Sequence, residues 1–106
     1  HLQQNYEGGL DEARIAEIEA MNDIPLVIHG GSGVPLAQRK KLARTTKICK
    51  FNIGTELRMA FGAALHEAVN SDVERFDRVQ ILKETQDTVE AAARRVLRAF
   101  GAPAQR

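Results

Sequence analysis

The sequence predicts a parallel α/β fold. Two short, continuous apolar runs, at residues 24–28 and 48–53, read as strands. Each is followed by a loop containing glycine and then by a segment with helical periodicity. Alternation of short buried strands with helices is the pattern of a parallel sheet covered by its crossover helices.

Residues 1–9 are polar and end in Gly8-Gly9, a loop signal. Residues 11–22 read as a helix: Ile15 and Ile18 share a face, Asp11 and Glu12 lie in the first turn, and Asn22 can end it. Ile24-Pro25-Leu26-Val27-Ile28 is expected to be a strand buried on both faces, with Pro25 at its start, where a missing N–H costs least. His29-Gly30-Gly31-Ser32-Gly33 is a glycine-rich loop, and Pro35 suits the first turn of a short basic helix over 35–45. That helix is expected to point Arg39, Lys40, Lys41 and Arg44 outward.

Residues 48–53 form the second strand, with Cys49 in the core and Lys50 alternating with it. Gly54 and Thr55 end it, and a helix begins at Glu56 with Leu57, Phe61, Ala64, Leu65 and Ala68 along one face. A charged connection covers 70–78. A last helix runs from about 82 to 100 with a stripe of Val89, Ala93, Val96, Leu97 and Phe100; Gly101 supplies a left-handed C-cap position and Pro103 stops it. Two strands do not make a stable sheet alone, so this order asks for further strands.

A length of 106 residues suits one small domain or a piece of a larger one, and an opening on His1 in a loop favours the piece. With 43% hydrophobic and 27% charged residues the balance is that of an ordinary globular protein. A net charge of +1 gives no reason to expect nucleic acid or an anionic membrane as partner. Cys49 is the only cysteine, which excludes an intrachain disulfide and fits a reducing compartment such as the cytoplasm. Neither a signal peptide nor an apolar run near the ~20 residues of a membrane span is seen.

The chemistry-bearing residues gather at the carboxyl ends of the two strands. Glycines let backbone approach an anion, and free N–H groups at a helix start point at it. Gly30, Gly31 and Ser32 can supply such groups from one loop and Thr55 from the next; the plain alternative is two tight turns. His29 is a candidate zinc ligand or a hydrogen-bonded structural residue. Asn52 either binds a substrate oxygen or caps the next turn. His66 and Arg94-Arg95 read as surface residues, and the basic helix around 39–44 as a solvated face or an anion patch.

Two segments carry a family resemblance. Pro25-Leu26-Val27-Ile28-His29-Gly30-Gly31-Ser32-Gly33 resembles the P-L-V-L-H-G-G-S-G segment of class II fructose- and tagatose-bisphosphate aldolases. Lys50-Phe51-Asn52-Ile53-Gly54-Thr55-Glu56-Leu57-Arg58 is similar to their K-[IV]-N-[IV]-x-T-[ED]-L-[RK] segment, at a matching distance. Aligning Leu10-Asp11 with the family's Leu-Asp helix start puts His1 on a family histidine, though Leu2-Gln3-Gln4 follows it where the family has Gly-x-Tyr. Gly54 stands where many members have Asp, Asn or Ala.

The resemblance implies the C-terminal portion of a (β/α)₈ TIM barrel, from the end of strand six to helix eight plus an extra helix, with 1–106 a single segment of that domain. It implies Zn²⁺, optionally with a monovalent cation, held by His1, His29 and a further histidine. Gly30, Gly31, Ser32, Asn52, Gly54 and Thr55 would bind the substrate phosphate region, and Asn52 would contact the enediolate as the catalytic residue. The implied reaction is reversible aldol cleavage of fructose 1,6-bisphosphate, or a related ketose bisphosphate, to dihydroxyacetone phosphate and an aldehyde such as glyceraldehyde 3-phosphate, in a cytoplasmic dimer or tetramer. These 106 residues by themselves are expected to be inactive. The alternatives are a phosphosugar isomerase or epimerase barrel and a non-catalytic phosphate-binding or interaction unit.

Overall fold

Among the described residues the sheet is a parallel pair of strands. The structure, a computed structural model, describes residues 8–101. Helix α1 (Glu12–Met21) begins where the Asp11 carboxylate accepts the Arg14 N–H at 3.0 Å, satisfying one of the donors a helix start leaves open. Asn22 ends it as expected: its amide donates to Ile18 O and accepts from Ile24 N–H, turning the chain into β1 (Leu26–Ile28). Helix α2 (Leu36–Thr45) returns the chain to β2 (Ile48–Phe51), which pairs with β1 in parallel. Pro35 lies one position ahead of α2, as its N-cap.

Ile15 of α1, Leu42 of α2 and Ile48 of β2 make the core of this half, with Leu10, Leu26, Ile28 and Phe51 packed against it. Only one face of the sheet is covered this way. The expectation of burial on both faces is therefore corrected: Val27 is 43% exposed, and Lys50 opposite it is exposed as well. Cys49 is also exposed rather than in the core. The register slips between Leu26 and Val27, which leaves Cys49 as an extra residue on β2, and its thiol reaches Leu26 O at 3.5 Å. An added residue breaks the inside–outside alternation of a strand.

Helices α3 (Thr55–Ser71) and α4 (Arg78–Ala99) pack on each other as a hairpin joined by residues 72–77. Their buried positions are small or β-branched: Ala64 and Ala68 on α3, Thr85, Ala92 and Val96 on α4. Small side chains let helix backbones approach closely, at the cost of little apolar area per residue. The expected stripe on α4 is displaced: Leu97 is exposed and Ala92 is buried instead. The helix also starts four residues earlier than the apolar pattern suggests, because Asp77 caps it by accepting the Val79 N–H at 2.8 Å. At its other end Gly101 takes φ +81°, the left-handed position anticipated for it. Phe100 meets Phe51 there, ring centroids 4.7 Å apart, tying α4 to β2.

The result is elongated, 60 × 33 × 21 Å, with a radius of gyration of 17.3 Å against about 13 Å for a compact chain of this length. The strand half therefore depends on a small core. Leu42, 2% exposed, is its most enclosed apolar side chain. Leu42→Ala is expected to cost about 2–5 kcal/mol, measured as a fall in the midpoint of thermal or urea unfolding.

Candidate functional site

The pairing of β1 and β2 runs on beyond the strands. Asn52 N–H donates to Ile28 O at 2.8 Å, and Gly31 N–H donates to Asn52 O at 3.0 Å. These two bonds hold the loop after β1 against the loop after β2. The approach is possible because residue 31 has no side chain: a Cβ there would lie 2.7 Å from Ile53 Cδ1 and 3.2 Å from Asn52 O. Gly30 completes the turn at φ 66°, ψ 29°, a left-handed conformation that glycine adopts without strain. A short 3₁₀ turn, Gly31–Gly33, follows, closed by Gly33 N–H to Gly30 O and Val34 N–H to Gly31 O.

Ser32 links this loop to the start of α3. Its hydroxyl oxygen accepts the Glu56 N–H at 3.2 Å, so its own proton remains to be donated elsewhere. Among the described residues, Gly30 and Ser32 enter hydrogen bonds as acceptors: Gly30 O from Gly33 N–H, Ser32 O from Arg39 and Ser32 Oγ from Glu56 N–H. The N–H of Gly31 is committed to Asn52, so its contribution is close packing rather than an open donor. Gly54 caps α3, and Thr55 is its first residue.

A cleft of about 510 Å³ opens at this end, lined by His29, Gly30, Ser32, Asn52, Gly54, Thr55 and Arg58 among others. Every site residue expected from the sequence within 8–101 is thus in one place: Gly31 lies in the wall behind, and the rest line the cleft. His1 lies outside the described residues. His66, exposed on α3, is not part of it.

His29 is exposed, and its Nδ1 is 3.1 Å from Asn52 Nδ2. With Asn52 donating, Nε2 carries the ring proton; with the amide turned over, Nδ1–H donates to Oδ1 and Nε2 is left with its lone pair. A metal binds only a nitrogen whose lone pair is free, so Asn52 selects which nitrogen of His29 can ligate. Among the described residues no group of three His, Cys, Asp or Glu side chains gathers to hold a metal ion. His29 alone supplies one imidazole of the kind that can ligate a metal.

Arg39 is the residue the sequence reading misplaced. It was expected on a solvated face, yet it is 2% exposed, beneath the loop. Its Nε donates to Val34 O at 2.7 Å, Nη2 to Ser32 O at 2.9 Å, and Nη1 to Glu56 Oε2 at 3.0 Å. A signal was present in the spacing: position 39 is three residues before Leu42 on α2, hence on the buried face. Lys40, Lys41 and Arg44 are exposed as expected.

Parallel α/β enzymes place their active sites at the carboxyl ends of their strands, the end at which these two loops lie. Residues 1–105 match the family model of the class II fructose-bisphosphate aldolases, and the chain belongs to that family. The family consists of lyases that act on phosphorylated ketoses and are generally zinc-dependent. No helix among the described residues is long and apolar enough to cross a membrane.

The packing at residue 31 is directly testable. Gly31→Ala is expected to lower stability by about 1–3 kcal/mol through overpacking, and Ile53→Val, which deletes the clashing Cδ1, is expected to restore part of it. Chemical denaturation of the two single variants and the double variant reads this out; equal losses in Gly31→Ala with and without Ile53→Val exclude the contact as the cause.

Proposed function

We propose that this chain forms the phosphate-binding and metal-proximal edge of a zinc-dependent ketose-bisphosphate aldolase, as the C-terminal part of a (β/α)₈ barrel. The observation that carries the reading is the junction of the two loops: one cleft receives His29, Asn52, the Ser32 loop and the start of α3. Parallel α/β enzymes place their sites at this end of their strands, and barrels commonly bind phosphate in the last two loops.

In this reading the phosphate of the dihydroxyacetone phosphate half lies between the Ser32 loop and the first turn of α3. The Ser32 hydroxyl, accepting from Glu56 N–H, donates its proton to a phosphate oxygen. The amides of Gly30 and Ser32 donate beside it, and Gly54 and Thr55 line the other wall. The partial positive charge of a helix start favours the anion there. Asn52 donates from its amide to an oxygen of the ketose-derived half and, through the His29 contact, fixes that ring's orientation. A bound zinc ion supplies Lewis-acid charge where the carbonyl becomes negative during cleavage. His29 would be one of its ligands and, by resemblance to the family, His1 a second. No carboxylate lines the cleft among the described residues. By the family resemblance the acid–base groups of aldol cleavage lie elsewhere in the protein, so in this reading the 106-residue chain alone binds without turning over.

Two measurements test this. In the protein that carries this chain, His29→Ala is expected to abolish stoichiometric zinc, read by metal analysis after dialysis; full retention of zinc refutes the assignment of His29. Calorimetric titration with dihydroxyacetone phosphate is expected to show binding that Ser32→Ala weakens about tenfold, the value of a hydrogen bond to a charged group. Aldol cleavage by the isolated 106-residue chain would contradict the division of labour drawn above.

A further inference from the structure

We propose that Arg39 is a positioning residue for the anion cradle: it holds the glycine-rich loop under the start of α3 and keeps the Glu56 carboxylate turned away from the bound phosphate. The inference rests on the phosphate-binding reading above and adds to it a residue that does not line the main cleft.

The geometry is that of a three-way tie. One planar guanidinium spends one donor on Val34 O, one on Ser32 O and one on Glu56 Oε2, at 2.7, 2.9 and 3.0 Å. The first two acceptors are main-chain atoms on either side of Gly33, so the group fixes backbone rather than a side-chain rotamer. The third belongs to the first turn of α3. The same Glu56 also donates its backbone N–H to Ser32 Oγ. Ser32 is thus gripped from both sides, its carbonyl by Arg39 and its hydroxyl by the helix that Arg39 anchors. Moving either partner changes where the Ser32 proton and amide point.

The charge argument runs the same way. Glu56 is an anion in the first turn of a helix whose start is to receive another anion. A free carboxylate there competes with phosphate for the same helix start. Paired with Arg39, whose side chain is buried, Glu56 is held against its guanidinium, and the pair has no net charge. Arginine suits the task and lysine does not, because the task needs three donors in a rigid plane aimed at three separate oxygens. Arg39 lines a second, smaller hollow of about 170 Å³, together with Ser32, Gly33, Val34, Pro35, Leu36 and Glu56.

The test uses the protein that carries this chain, with inorganic phosphate as the probe, and three variants: Arg39→Met, Arg39→Lys and Arg39→Met combined with Glu56→Gln. Circular dichroism and a cooperative melt establish folding first. Arg39→Met is expected to raise the phosphate Kd tenfold or more and Arg39→Lys severalfold. Adding Glu56→Gln to Arg39→Met is expected to recover part of the loss, because it removes the stranded carboxylate. That recovery separates positioning and charge shielding from a general loss of stability. A folded Arg39→Met protein with a Kd within twofold of the unaltered protein overturns the proposal. If Arg39→Met does not fold, Arg39→Lys is read by the same twofold criterion. Absence of phosphate binding by the unaltered protein is a different result: it refutes the phosphate-binding reading itself.

Discussion

Two backbone hydrogen bonds hold the site together. Strand pairing between β1 and β2 ends formally at Phe51, but Asn52 N–H to Ile28 O and Gly31 N–H to Asn52 O extend the ladder into both loops. A parallel ladder is slanted and evenly spaced, so extending it carries the loop after β1 across toward the loop after β2. Each residue that matters for the chemistry then takes its place relative to that seam. His29 and Asn52 meet side chain to side chain at its open end, and Ser32 reaches the start of α3. A Cβ at residue 31 would need the Ile53 side-chain end and the Asn52 carbonyl to give way, so glycine is the residue that fits the seam as it stands.

Around this seam the polar groups divide into two layers. The outer layer faces the cleft: backbone amides, the Ser32 hydroxyl, the Asn52 carboxamide and the His29 imidazole, with Arg58 also lining it. The inner layer is ionic, with Arg39 and Glu56 paired behind Ser32. Donors fixed to backbone bind an anion with little reorganisation, and the buried pair holds that backbone in place. A buried guanidinium, for its part, is stable only when its donors are used, and here main-chain carbonyls use two of them.

The order of elements and the gathering of the candidate residues at one end of the strands were legible in the sequence because both rest on local rules. Apolar runs bounded by glycines mark strands, and Asp11, Asn22 and Gly101 mark helix ends by capping chemistry that needs only near neighbours. What could not be read depends on tertiary partners. Arg39 looks like one of four cations on a basic helix until its place three residues from Leu42 is combined with a loop whose carbonyls need donors. Cys49 looks buried until only one face of the sheet is found covered: it follows the buried Ile48 and so lies on the open face. Leu97 and Ala92 exchange roles because α4 packs on α3 along a seam of small residues, a preference that apolar periodicity does not express. His1, placed by resemblance to the family, belongs to residues the structure does not describe.

The uneven distribution of packing bears on how the site is held. The α3–α4 hairpin supports itself along two long helices, while the two-stranded sheet is covered on one face only, with Val27 and Cys49 open on the other. A pair of strands is marginal by itself, and the loops of the site hang from that pair. Links between this half and the hairpin include Phe51 against Phe100, Ser32 to Glu56, Arg39 to Glu56 and the packing of α2 on α4. Two of these converge on the first turn of α3, where the proposed anion site lies. A ligand that spans the Ser32 loop and α3 adds a further link between the same two bodies. Its binding free energy is thereby coupled to the stability of the strand half, and occupancy of the cleft and order of the sheet rise together.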